Sequence, residues 1–307
     1  MRYAHLIRYV QETPWAIAHD KVTEILDVLL MRVDGHRLSA EEIHLRVGEA
    51  MGQHAERIEG AASVTRARGG GVAVVPIMGT IFHRMAESMD ESSGGTSTGR
   101  IRDSLRQAVA MPDIGTILLD VHSPGGTVPG VGELADDIFK AREAKRIVAL
   151  ADSQMASAAY WIASQANEIV AIPSASVGSI GVFGVHEDLS ERAKQLGIKV
   201  TMISAGKYKM EGNPFEPLSE AATARFQTLV DAAYDSFVDA VARGRGVSSS
   251  TVRTGFGQGR ALMAKEAKEA GLIDRIATRE ETIVRLTRKL SPAAADDKHL
   301  RALRLRV

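Results

Sequence analysis

The chain has 307 residues, 45% of them hydrophobic and 25% charged, with formal net charge +0 and no cysteine. That is enough chain for a full core, and it excludes disulfides, thiolate metal sites and a cysteine nucleophile. A neutral balance supplies no global field to recruit nucleic acid or an anionic membrane.

In chain order, the first residues, "MRYAHLIRYVQETPW", lack the apolar core and cleavage site of a signal peptide. No stretch reaches the roughly 18 apolar residues of a membrane span. The expectation is a protein that is not secreted, has no membrane anchor and stays in the cytoplasm. Val22, Ile25, Leu26, Leu29, Leu30 and Val33 recur at three and four and predict an amphipathic helix. Ser39 and Glu42 form a capping box for a second helix through Ile43 and Val47. "EGAASVTRARGGG" (59–71) reads as a linker, so 1–66 is expected to be a small helical arm.

From there strand and helix alternate. Strands are predicted at 72–81, 116–123, 146–153, 168–175 and 199–204, and helices at 101–111, 132–145, 157–167 and 188–197. That order implies an α/β fold with a mostly parallel sheet and flanking helices. The polar segment 83–99 reads as a mobile loop. A long helix is predicted from Ser219 to about Arg243, its apolar face (Phe226, Leu229, Tyr234, Phe237, Val238, Val241) serving as core or subunit contact. Residues 279–307 are basic, with eight Lys/Arg against four Asp/Glu from Thr278 onward, and read as a partly disordered tail. The catalytic part would then span 67–278.

The chemistry centres on "DSQMASAAYWIA" (152–163). Ser157 follows a strand and begins a helix of small residues, where free N–H groups and the helix dipole favour negative charge. Serine is also a common N-cap. "HSPGG" (122–126) ends another strand, and its consecutive glycines can turn N–H groups toward a ligand oxygen, as an oxyanion hole requires. Pro-Gly is equally the usual turn dipeptide. The base is open among His122, His186, Lys207 and Lys209. A lysine qualifies only if enclosure lowers its pKa from about 10.4 toward neutrality, about 4 kcal/mol.

"DVHSPGG", "MASAAYWIA", "SVGSIGV", "GKYKMEGNPFEPLSE" and "GRALMAKEAKEAGLIDRI", in this order, resemble the signal peptide peptidase A family of serine proteases, which shares the Clp protease/crotonase fold. The resemblance implies Ser157 as nucleophile, Lys209 as general base, Gly125 as oxyanion-hole glycine with the Ala158 N–H as second donor, and Gly126, Gly178 and Ser179 in substrate binding. It implies no cofactor and no metal. This chain has "SAAY" where the family has "SGGY", which narrows the approach to the serine slightly. The N-terminal "TPWAIAHDKVTEIL" resembles the phage branch, minor capsid or prohead proteases that cut scaffold and capsid proteins. That implies capsid-protein substrates, a location in the host cytoplasm or inside the assembling capsid, and homo-oligomers with shared active sites. Competing readings are a Clp-like Ser–His–Asp peptidase using His186, a cytoplasmic signal-peptide-peptidase-like enzyme, a crotonase-type acyl-CoA enzyme, and a non-catalytic capsid-associated protein.

Overall fold

The computed structural model describes residues 14–18, 63–67, 70–84 and 95–289. The centre of the molecule is a parallel stack of three long strands: β3 (Gly70–Met78), β6 (Ile114–Ser123) and β8 (Arg146–Ala156). β6 is buried along almost its whole length, as the apolar residues of "TILLDV", broken only by Asp120, demand of a strand covered on both faces. Its alternate residues serve two cores. Ile117, Leu119 and Val121 join the larger one, while Leu118 packs with Val72, Val148, Leu150 and Val170 on the other side.

β8 is longer than its neighbours and changes partner along its length. Residues 148–151 pair with β9 (Glu168–Ala171), and residues 154–156 pair with β10 (Ser176–Gly178), both parallel. The sheet is completed by edge strands β2 (Ser63–Ala67) on β3 and β11 (Ala261–Met263) on β10, both antiparallel, and by β12 (Arg275–Ile276) on β9. A register shift separates β6 from β8 between Val121 and Ser123. A bulge there re-aims the ends of both strands, as bulges beside active sites do.

One face of the sheet carries α1 (Thr98–Ala110), α2 (Val131–Ala141), α3 (Ala158–Ala163) and the C-terminal half of α5 (Glu220–Arg245). α3 is buried on every side. Its Trp161 stacks on Phe237 of α5, centroids 4.6 Å apart and planes 8° from parallel. Gly244 lets the two helices meet, since a Cβ there would lie 2.2 Å from the Ser164 carbonyl oxygen. The opposite face is covered by α8 (Arg279–Lys289) through Leu286 and Ile283. Arg279 at its start bonds the buried Asp120 of β6 at 2.6 Å. A second, small sheet has the order β1 (Trp15–Ile17), β7 (Gly125–Thr127), β4 (Ile81–Phe82), β5 (Thr96–Ser97).

The mostly parallel sheet with flanking helices is thus present, and the long helix runs as expected, but four local readings are corrected. Ser63–Ala67 and Gly70–Met78 pair as antiparallel strands where the sequence reads as a linker, because β-branched Val64 and Thr65 find a partner strand in Val72 and Ala73 just beyond the glycines. Residues 279–289, the start of the segment read as a partly disordered tail, are helix, because the charges conceal an apolar stripe that covers the sheet; residues 290–307 lie outside the described residues. Segment 199–204 is not a strand. It runs exposed, with Ile203 94% accessible, because among the described residues no strand pairs with it. The polar loop 83–99 ends early, since β5 and α1 occupy Thr96 onward and Ser97 caps α1 by accepting the Arg100 N–H. Residues 85–94 and the two helices predicted within 19–47 lie outside the described residues.

Candidate active site

Ser157 is the single residue joining β8 to α3. Ala156 is the last of the strand and Ala158 the first of the helix. Turning a strand into a helix in one step forces Ser157 to φ +55°, ψ −120°, a conformation costing an L-residue about 1–3 kcal/mol. A serine on such a strained strand-to-helix turn is how hydrolases of another fold expose a nucleophile. The surroundings hold the strain. The Ser157 N–H donates to Gly178 O at 2.7 Å, and the Trp161 N–H donates to Ser157 O at 2.9 Å. Three residues after Ser157, the Tyr160 hydroxyl donates to Leu272 O at 2.9 Å. Burial pushes that phenol's pKa up, so it stays a neutral donor. Ser157 itself is 1% exposed, and its Oγ makes only a long 3.5 Å contact with Gly181 O.

The glycine turn lies directly against it. β6 ends at Ser123, whose hydroxyl donates to Gly79 O at 2.6 Å and accepts the Gly125 N–H at 3.2 Å. Gly125 adopts φ +104°, and a Cβ there would stand 2.9 Å from Ser157 Cβ and 3.0 Å from Ala156 O. The bare backbone at 125 is therefore what permits this approach. Gly126 answers a different need: a Cβ would fall 1.8 Å from Ile81 O, so it is glycine for the packing of the small sheet. On the other side of Ser157, Gly178 (φ +110°) ends β10 and Ser179 (φ +54°) follows it, with the Ser179 N–H donated to Arg260 O at 3.0 Å. Among the described residues the Ala158 N–H has no hydrogen-bond partner.

Ser157, Ala158, Gly125, Gly126, Gly178 and Ser179 thus form one cluster, and Lys209 is not bonded to it within the chain. Lys209 lies in the turn region 206–213, its N–H donated to Gly206 O at 3.1 Å and its side chain exposed. Among the described residues its Nζ has no hydrogen-bond or ion-pair partner. The candidate histidines are engaged elsewhere: His122 Nδ1 with Asp152 O at 3.0 Å, and His186 Nε2 with Asn213 O at 3.2 Å. Sequence reasoning missed Ser123, which ties the glycine turn, and it missed Trp15–Ile17 and Phe183. The only signal for the latter is an aromatic–small–β-branched triplet after Pro14, too short to read as a strand.

Residues 140–291 match the model of peptidase family S49. A putative protease of Synechocystis sp. is 30% identical over 191 residues, 60% of this chain and 69% of that protein. The chain belongs to peptidase family S49. The S49 chain is also 34% identical over 213 residues to the head-tail preconnector protein GP5 of Enterobacteria phage P21, covering 69% of this chain and 42% of that one. Over a stretch of the same length it is 32% identical to the capsid assembly protease C of Escherichia phage lambda, covering 48% of that protein. The matched region spans less than half the length of these two phage relatives. Among solved structures a ClpP1 mutant of Listeria monocytogenes is similar at TM-score 0.41 and 14% identity, over 67% of this chain and 92% of that one. No helix among the described residues is long and apolar enough to cross a membrane.

Proposed function

We propose that the chain is a serine endopeptidase with a Ser157–Lys209 dyad, acting on scaffold or capsid proteins during phage head assembly. The observation that carries the chemistry is Ser157 strained at a strand–helix junction, against a glycine turn and beside the unpartnered Ala158 N–H. Ser157 Oγ attacks the substrate carbonyl carbon while its proton passes to a neutral Lys209 Nζ. The carbonyl oxygen, now negative, is met by the Ala158 N–H and by the Gly125 N–H, which exchanges its 3.2 Å bond to Ser123 Oγ for it. Collapse of the intermediate breaks the C–N bond, the departing amine takes the proton from Lys209, and water then hydrolyses the acyl-serine with Lys209 again taking and returning a proton.

An ammonium becomes a base only when enclosure favours its neutral form. In the single chain Lys209 stands in solvent, on a segment that also exposes Leu196, Ile198, Ile203 and Tyr208. On α5, Phe226 and Leu229 are exposed as well. A neighbouring copy would cover this apolar surface and enclose the lysine, so the dyad is completed between subunits. The head-assembly role rests on the similarity to the two phage relatives, a head-tail preconnector protein and a capsid assembly protease.

The test is mixing. Ser157→Ala and Lys209→Ala are each inactive alone, and together regain part of the wild-type rate, because some interfaces pair an intact serine with an intact lysine. A mixture that stays inactive while subunits exchange would place both groups in one chain. A Lys209→Ala enzyme at full rate with an inactive His186→Ala would overturn the dyad.

A further inference from the structure

Beside Ser157 lies a stretch of this same chain. β1 (Trp15–Ile17) pairs antiparallel with β7, Ala16 opposite Gly126 and Ile17 opposite Gly125. The Ala18 N–H donates to Pro124 O at 2.8 Å, and Pro14 O accepts the Val128 N–H at 3.1 Å. The other edge of the segment is also occupied. Trp15 N–H donates to Phe183 O at 2.9 Å, and Phe183 N–H donates to Trp15 O at 3.0 Å. Residues 14–18 are therefore an inserted strand, bonded to both walls of a slot whose floor carries the nucleophile. Its side chains are sunk: Trp15 and Ala16 are wholly buried, and Trp15 meets Phe82 edge to face, centroids 6.4 Å apart.

One point fixes how near the strand comes to the chemistry. The position that a Gly125 Cβ would occupy is 2.3 Å from the Ala16 carbonyl oxygen and 2.9 Å from Ser157 Cβ. The Ala16 carbonyl thus sits beside the serine. Peptidases hold substrates in this way, as an extended chain added to a strand edge through main-chain bonds, with pockets reading alternate side chains. The near-complete burial of Ser157 follows the same line, for a nucleophile must be reachable by substrate.

We infer that residues 14–18 are an internal occupant of the substrate slot, seated as a substrate strand, so the chain carries its own competitor for the site. The inference rests on Ser157 being the nucleophile and adds what the slot holds before an external protein arrives. It also describes the peptide the slot takes: extended, with a large apolar side chain where Trp15 sits and a small one where Ala16 sits. External substrate must displace this strand. The competitor is tethered and therefore present at an effective concentration in the millimolar range, so the apparent KM for a short peptide is raised while kcat is untouched.

Two measurements test it. The first compares full-length protein with a Trp15→Ala/Ile17→Asp double variant, on an unstructured fluorogenic peptide. Severalfold lower KM at equal kcat is expected; unchanged KM, or lost activity in a variant that still melts cooperatively, overturns the inference. The second needs no variant. A peptidyl boronate that bonds Ser157 and lays its peptide in the slot is added to the wild-type protein, and amide hydrogen exchange is followed. Amides 15–18 should lose protection while Phe183 keeps its own through the inhibitor. Retained protection at 15–18 with boronate bound would show that the strand is a fixed part of the small sheet. Failure of boronate or fluorophosphonate to label Ser157 would instead refute the nucleophile itself.

Discussion

Replacing Gly125 by alanine adds one methyl at the most crowded point of the site. Two costs follow from the geometry. At φ +104° an L-residue is strained, about 1–3 kcal/mol. The methyl would also stand 2.3 Å from the Ala16 carbonyl oxygen, 2.9 Å from Ser157 Cβ and 3.0 Å from the Ala156 carbonyl oxygen. The first is main chain of β1 and the other two belong to the β8–α3 junction that fixes Ser157, so none can swing aside as the end of a flexible side chain would. The 125 N–H must therefore turn away from the place where the oxyanion forms. Loss of one such donor lowers kcat about 10²- to 10³-fold, roughly 3–4 kcal/mol of transition-state stabilisation. Tm should fall as well, by roughly 2–4 °C for each kcal/mol of strain. The assay is kcat and KM on a fluorogenic peptide alongside a thermal melt. Gly178→Ala is the control: φ is similarly positive at +110°, but the methyl meets the tip of Leu272 at 2.9 Å, which can move. It should lose stability and keep kcat within about tenfold, since it retains the oxyanion donors. If Gly125→Ala keeps kcat within threefold of wild type, Gly125 supplies no oxyanion donor.

Trp161→Ala removes the stacked partner of Phe237 under the nucleophile helix and should cost about 3–5 kcal/mol, read as a lower urea midpoint at unchanged slope; a loss below 1 kcal/mol would show that α3 is positioned by its backbone alone. Acid sensitivity follows from Glu168 and Asp274. Burial opposes the charge on each, but the Arg285 hydrogen bond with the charges of Arg285, Arg146 and Arg275 outweighs it for Glu168, and Arg245 with the Ile169 N–H outweighs it for Asp274. Both folded pKa values are therefore lowered. The stability they contribute is complete above the unfolded carboxylate value, about 4, and is lost as pH falls below it. Tm should fall on that acid side, less steeply in Glu168→Gln, and an identical acid slope in that variant would dismiss the arginine cluster as the cause. His122→Ala and His186→Ala should each retain most of the peptidase rate, whereas a dead His186→Ala would revive a histidine base.

What could be read from the residues and what could not divides by where the partners lie. "TILLDVHS" and "RIVALADS" are legible as central strands because burial on both faces demands near-continuous apolar runs. Ser157, Gly125 and Lys209 were marked by motif. The backbone angle of Ser157 was not, for it follows from β8 continuing to Ala156 and leaving one residue for the turn. "KVTMIS" has strand-like composition, yet composition promises only a willing strand, and among the described residues no partner accepts it. The hairpin of β2 and β3 was hidden by glycines and arginines that also suit a linker. β1 was the least legible element. Three residues carry no period, and both of its walls, Gly125–Thr127 and Phe183, are remote in sequence.

These elements separate the two halves of the proposed dyad by the stability of what holds them. The serine half is built into the deepest part of the fold: α3 has no exposed residue, its Trp161 is stacked, and the strained turn is tied to β10 by a 2.7 Å bond. The lysine half is carried by the long exposed stretch between α4 (Ser190–Gln195) and α5, with few contacts of its own. Segments of that kind open at low free-energy cost and are the ones that rearrange on binding. On the proposed reading a single chain is restrained twice, once by the absence of an enclosed base and once by the strand across Ser157. Assembly would relieve the first restraint and substrate the second. Activity should then depend on both protein concentration and substrate length, since a peptide too short to bond both β7 and Phe183 gains little over the tethered strand it must replace. A full rate on a dipeptide substrate at nanomolar enzyme would contradict both restraints together.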